Sequence, residues 1–198
     1  VAAMSVQSSI TGSTLNVSDG VAVSAKETAT LDGVSVAASV AAGFGGVAVS
    51  GAGAESSQTV ANDVGGYISG STVTAGTGVS VKADNTSSIS AVAGAVSVSA
   101  TGAGLGASIG VSIAKNTFGA YSGDGVTRAN RALAYIDGST VSVTKGNVDV
   151  LATSSETLTS VNFAGSVAVA GLGGSAAGSG VQVTNRFATT TKAYIKAS

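Results

Sequence analysis

Apolar and small or polar residues alternate with a period of two in short runs along the whole chain. Examples are VAVSA at 21–25, VSVAA at 34–38, VSVKA at 79–83, VSVSA at 96–100, VSVTK at 141–145 and VAVAG at 167–171. Period two puts one set of side chains on each face of an extended strand. The runs are broken by Gly, Asn, Asp and Ser, which favour turns. No stretch reads as a helix of normal length, so the chain is expected to be all-β.

A longer repeat overlies this alternation. The segments SSITGSTLNV (8–17), GYISGSTVTA (66–75) and AYIDGSTVSV (134–143) share Ile-x-Gly-Ser-Thr, and AYIKAS opens a fourth copy. The anchor residues Ile10, Ile68, Ile136 and Ile195 are separated by 58, 68 and 59 residues. The surplus in the middle copy falls at AYSGDGVTRANR, residues 120–131, which reads as an inserted loop. The chain therefore divides into repeats at about 10–67, 68–135 and 136–194, with a further repeat opening at 195–198.

Reuse of one sequence at a fixed period suits an architecture in which every unit meets the same neighbours. A β-solenoid does this by stacking each coil on the last at about 4.8 Å. The expected fold is a right-handed parallel β-helix forming a single segment over residues 1–198. A 58-residue unit divides into three coils of about 19 residues with three short strands each, giving about ten coils. On this reading Gly12, Gly70 and Gly138 are corner glycines, and copies of the motif lie three or more coils apart.

Composition agrees with a paired sheet. Pro is absent, as it would be where nearly every strand pairs on both edges. The abundant Val, Ile and Thr argue against disorder. Charged residues are 10% of the chain and the net charge is −1, which offers no electrostatic case for nucleic acid or an anionic membrane. Two long stretches, 85–114 and 157–185, carry no charge. Their Gly, Ala, Ser and alternating Val predict strands rather than a membrane-spanning helix.

The segments NRFATTTKAYIKAS, SVAVAGLGGSAAGSGVQVTN and AVSVSATGAGLGASIGVSIAKN resemble the repeat arrays of large bacterial exoproteins, the leukotoxin-like and filamentous-haemagglutinin-like adhesins. There, a Gly/Ala/Val stretch leads to Asn, a few polar residues, AYI and a Gly-Ser-Thr-like turn. The resemblance covers nearly the whole chain. It implies a secreted, extended protein at the cell surface, serving as stalk, adhesin or matrix fibre. The implied partners are copies of itself, further repeats of the same chain, or a glycan or surface receptor.

Candidate chemistry is sparse. His and Cys are absent, which excludes triads and dyads built on them and thiolate metal sites. The nearest carboxylate pairs are Glu27 with Asp32 and Asp149 with Glu156, and the lysines Lys26, Lys82, Lys115 and Lys145 are scattered. The expectation is therefore no enzyme and no cofactor. SDGV and SGDGV suggest calcium turns at Asp19 or Asp124 only weakly, since they lack the tandem glycine-rich nonapeptide of calcium-binding β-rolls. GAGLG (102–106) and GLGG (171–174) lack the helix and Lys-Ser/Thr of a phosphate loop. Asn62, Asn116 and Asn185 are candidates for an asparagine ladder. The insertion, with Tyr121, Asp124, Arg128 and Arg131, is the best candidate for specific recognition, because insertions in repeat proteins map to loops on one face.

The leading expectation is a structural or adhesive segment that self-associates by strand stacking and through apolar faces. The alternatives are a polysaccharide-binding or polysaccharide-cleaving β-helix and, from Thr14, Thr72, Thr140 and Thr189–Thr191, an ice-binding surface. Both ends lie inside the pattern without polar caps, which predicts a piece of a longer array or a subunit that stacks end to end.

Overall fold

The computed structural model describes the backbone of residues 1–121 and 127–198, and side chains outside 120–128. The first repeat contains β1 (Ser5–Thr11), β2 (Thr14–Val17), β3 (Val21–Gly43) and β4 (Gly46–Val60). The second contains β5 (Asp63–Ser69), β6 (Thr72–Ala75) and β7 (Val79–Phe118). The short strands β8 (Ala120–Tyr121) and β9 (Thr127–Arg128) follow, then β10 (Asn130–Asp137), β11 (Thr140–Val143), β12 (Val148–Leu172), β13 (Ser175–Phe187) and β14 (Thr189–Lys196). The fold is all-β, with no helix among the described residues.

Strands of successive repeats pair in parallel, in the orders β1-β5-β10-β14 and β2-β6-β11. The long β7 lies between β3 and β12 along its first part and between β4 and β13 along its second. Ile10 pairs with Ile68, Ile68 with Ile136, and Ile136 with Ile195. This corrects the expected ten coils of about 19 residues. A strand's neighbour lies one whole repeat away, so copies of the motif are adjacent rungs. Short strands of four to eight residues flank the Gly-Ser corner, but the strands that follow are long, 23 residues in β3 and 40 in β7. Gly and Asn inside β3 and β7 do not turn the chain, because both edges of β7 are held by a ladder and small residues are needed where two sheets meet. Gly33, for example, stays extended beneath the Gln58 side chain, which takes the space a Cβ would need and donates to the Ser90 carbonyl at 2.9 Å.

The Gly-Ser pair makes a corner that repeats in every rung. Gly12, Gly70 and Gly138 have φ of 57°, 55° and 57°, the left-handed region that costs other residues about 1–2 kcal/mol. In the fourth copy Ala197 takes this position with φ 50°. Each following serine donates its hydroxyl to the carbonyl two residues back, at 2.8 Å for Ser13 and 2.9 Å for Ser71. The same oxygen accepts the backbone NH of the serine below. Ser13 donates to Ser71 Oγ and Ser71 to Ser139 Oγ, both at 3.1 Å. Thr14, Thr72 and Thr140 stand in register directly beyond the corner.

Two apolar cores form among the described residues. Val23, Val64, Ile68, Val79, Val81 and Ile136 belong to the first, enclosed by the three ladders on either side of the Gly-Ser corner. Ala29, Val60, Ile89 and Phe118 form the second, further along the long strands. Beyond it the two long sheets face each other across small side chains. Ser39 Oγ meets Ser50 Oγ at 2.5 Å, and Ser97 Oγ meets Ser108 Oγ at 2.6 Å. The approach is close enough that a Cβ on Gly110 would lie 2.6 Å from the Gly165 carbonyl oxygen.

Candidate functional site

The strongest collection of reactive and charged groups lies on the outer face of β1-β5-β10-β14, beside the base of the insertion. Alternation along β10 puts Arg131, Leu133, Tyr135 and Asp137 on this face, and the shared register adds Asp63, Tyr67, Lys192, Tyr194 and Lys196. Arg131 clamps Asp63 through two bonds, Nε to Oδ1 at 3.1 Å and Nη2 to Oδ2 at 2.6 Å. Tyr135 stacks on Tyr67 with centroids 4.9 Å apart and on Tyr194 at 5.1 Å, with planes within 4°. Both faces of its ring are therefore covered. Burial, then the neighbouring Tyr67 and Tyr194 phenols and the Asp137 carboxylate, push the Tyr135 phenol above the ordinary tyrosine range.

A groove of about 1,090 Å³ runs along this face, lined among others by Met4, Asp63, Arg131, Leu133, Lys192, Tyr194 and Lys196. The Arg131 charge is balanced by Asp63. Lys192 and Lys196 form no ion pair among the described residues. The groove thus presents two ammonium groups and tyrosine edges, a setting that suits an extended anionic ligand.

The insertion leaves the sheet as an antiparallel ribbon, with Ala120 opposite Arg128 and Tyr121 opposite Thr127. Asp124 and the side chains of Tyr121 and Arg128 lie outside the described residues. Arg131 belongs to the ladder strand β10, not to the loop. The proposed asparagine ladder divides into two lines. Asn116 Nδ2 donates to Asn185 Oδ1 at 3.1 Å, with Gln58 in register below. Asn62 stands elsewhere, where its backbone NH donates to Asn130 Oδ1 at 2.9 Å.

The carboxylate pairs are separated by strand alternation. Glu27 and Glu156 point inward, while Asp32 and Asp149 point outward. Glu156 Oε1 accepts from Ser154 Oγ at 2.8 Å and from Asn130 Nδ2 and Thr189 Oγ1, both at 2.9 Å. With Glu27, Asn62, Asn85 and Ser87 it forms a polar seam between the two apolar cores. Asp19 Oδ1 accepts from the Gly20 NH at 2.8 Å and from Thr77 Oγ1 at 2.9 Å, which is the work of a turn cap. No group of three or more metal-ligating side chains occurs among the described residues. In GAGLG and GLGG, Gly104 and Gly173 adopt φ of 125° and 133° at the bend between the long sheets. A Cβ at either would overlap the carbonyl of the rung below, so these glycines serve stacking.

Sequence reasoning missed Asn130, Asp63, Lys192, Lys196 and the tyrosine stack. The stack did leave a signal, Tyr immediately before the anchor Ile at 67, 135 and 194. No family model, curated protein or solved structure matches the chain. No described helix is long and apolar enough to cross a membrane.

Proposed function

We propose that the chain is a right-handed parallel β-solenoid segment, one repeat per coil, of a secreted structural or adhesive protein at a bacterial cell surface. The observation that carries this reading is like-on-like stacking: isoleucine on isoleucine, tyrosine on tyrosine and serine on serine in consecutive rungs. Such a ladder extends by adding equivalent rungs, and each rung offers the next an unpaired strand edge. An enzyme needs a local convergence of unlike groups, whereas these repeats reproduce the same groups along an axis. The likeness to exoprotein repeat arrays points the same way, with copies of the chain or further repeats as partners. Negative-stain electron microscopy of the native protein tests the proposal. Extended filaments support it; compact particles overturn it.

A second reading draws on the groove beside Lys192 and Lys196, where an acidic glycan would find two ammonium groups without an ion pair among the described residues. Binding of acidic but not neutral oligosaccharides, lost in Lys192→Ala/Lys196→Ala, supports this. Equal binding of both classes, or none, removes it.

A further inference from the structure

The apolar residues of the long strands change sides partway along, in all three repeats. In β3 the inward positions are odd-numbered, ending in apolar Leu31; Val34, Val36 and Val40 are even-numbered and project outward. They are 75, 63 and 78% exposed. In β7 the change falls between Ile89 and Val92, and in β12 between Leu158 and Val161. No bulge causes it, because the pairing of β3 with β7 runs unbroken from Val21 to Gly43. Serine and alanine fill the inside where these valines stand outside. A lone sheet would gain by the opposite arrangement, and apolar-out with polar-in signals a covered surface.

We propose that this outer face of β3-β7-β12 packs against the same face of a second copy of the chain, sheet on sheet. The proposal deepens the structural reading above and rests on it. The face carries no charge from 34 to 42, from 92 to 100 or from 161 to 169, so like faces meet without repulsion. Its rungs recur at about 4.8 Å, and a second copy presents the same spacing, so ridges of valine seat between ridges in every rung. A two-fold axis makes one patch self-complementary. Three rungs by nine residues measure about 14 Å by 30 Å, or roughly 400 Å² per partner. That is about half of a standard interface. Pairing through three rungs is therefore weak and reversible, and it tightens as rungs are added.

Sedimentation velocity of the 198-residue chain, from about 10 μM to about 1 mM, tests this. The expected result is concentration-dependent dimerisation. Val34→Thr/Val40→Thr/Val167→Thr keeps β-branched residues at exposed positions and is expected to raise the dissociation constant at least about tenfold. Thr28→Ser/Thr30→Ser, exposed on the same side of β3 before the apolar residues change sides, is expected to leave it unchanged. A monomer throughout the range, or a triple variant that dimerises like the parent, overturns the proposal. So does binding to phosphatidylcholine vesicles by a chain that stays monomeric. Circular dichroism separates the two claims: a monomer with an intact β spectrum defeats only the pairing, and loss of the β spectrum defeats the structural reading as well.

Discussion

The backbone NH of Asn62 donates to the side-chain oxygen of Asn130, 68 residues further along the chain, at 2.9 Å. Both residues are fully buried. The amide nitrogen of Asn130 in turn donates to Glu156. One side chain thus joins two rungs and the polar seam between the cores. Asn130→Ala leaves the Asn62 NH and one Glu156 interaction unmet, and is expected to cost about 2–3 kcal/mol. Chemical denaturation of the variant against the parent measures it. A cost within about 0.5 kcal/mol contradicts the assignment.

Two glycines separate conformational strain from steric overlap. At Gly70 a Cβ meets nothing within 4 Å, so Gly70→Ala suffers only its left-handed backbone, about 1–2 kcal/mol. At Gly110 the methyl would press on the opposite sheet, and Gly110→Ala is expected to cost as much or more, about 1–3 kcal/mol, by forcing the layers apart. Crystal structures of the two variants tell the causes apart. Movement of Gly165 is expected only for Gly110→Ala.

Ultraviolet titration is expected to show a late-ionising phenol that is absent in Tyr135→Phe. The pKa of Tyr135 is raised in the folded state. The unfolded chain therefore loses this proton first. The stability it contributes is complete below the ordinary tyrosine pKa of about 10 and is lost as pH rises through the folded value. A Tyr135→Phe variant with the parent's full titration curve contradicts the stack.

The insertion is expected to be dispensable once its bounds follow the ladder. Val60 pairs with Phe118 at an offset of 58, and Asp63 with Arg131 at 68, so the surplus is ten residues. Joining Gly119 to Asn130 by deleting 120–129 keeps Asn130 and the Arg131–Asp63 pair. Thermal unfolding close to that of the parent is expected. Failure to fold contradicts the register.

The all-β character was legible in the sequence, because period-two alternation does not depend on tertiary contacts, and the spacing of Ile10, Ile68, Ile136 and Ile195 matches the ladder register; the end of the insertion was not, since Asn130 and Arg131 belong to β10. Coil length was not. Asn85 and Gly94 read locally as turn residues, but pairing on both edges keeps them extended, and the Phe163 side chain occupies the space above Gly94. The change of side between Leu31 and Val34 is written in the sequence. Its meaning is not, because alternation alone does not say which face is inside. The separation of Asn62 from Asn116 and Asn185 depended on the ladder register, which the spacing of three asparagines cannot supply.

The central claim is that each repeat adds one rung. Thr11, Ser69, Asp137 and Lys196 then stand in one line. The chain has no cysteine, so Thr11→Cys/Lys196→Cys can be spin-labelled at those two sites alone. Three rungs put the backbones about 14 Å apart, and pulsed electron–electron resonance is expected to report a narrow distribution near 15–20 Å once the label arms are included. Coils of about 19 residues would put the same positions about 45 Å apart, and a distribution centred there would contradict the stacking of whole repeats.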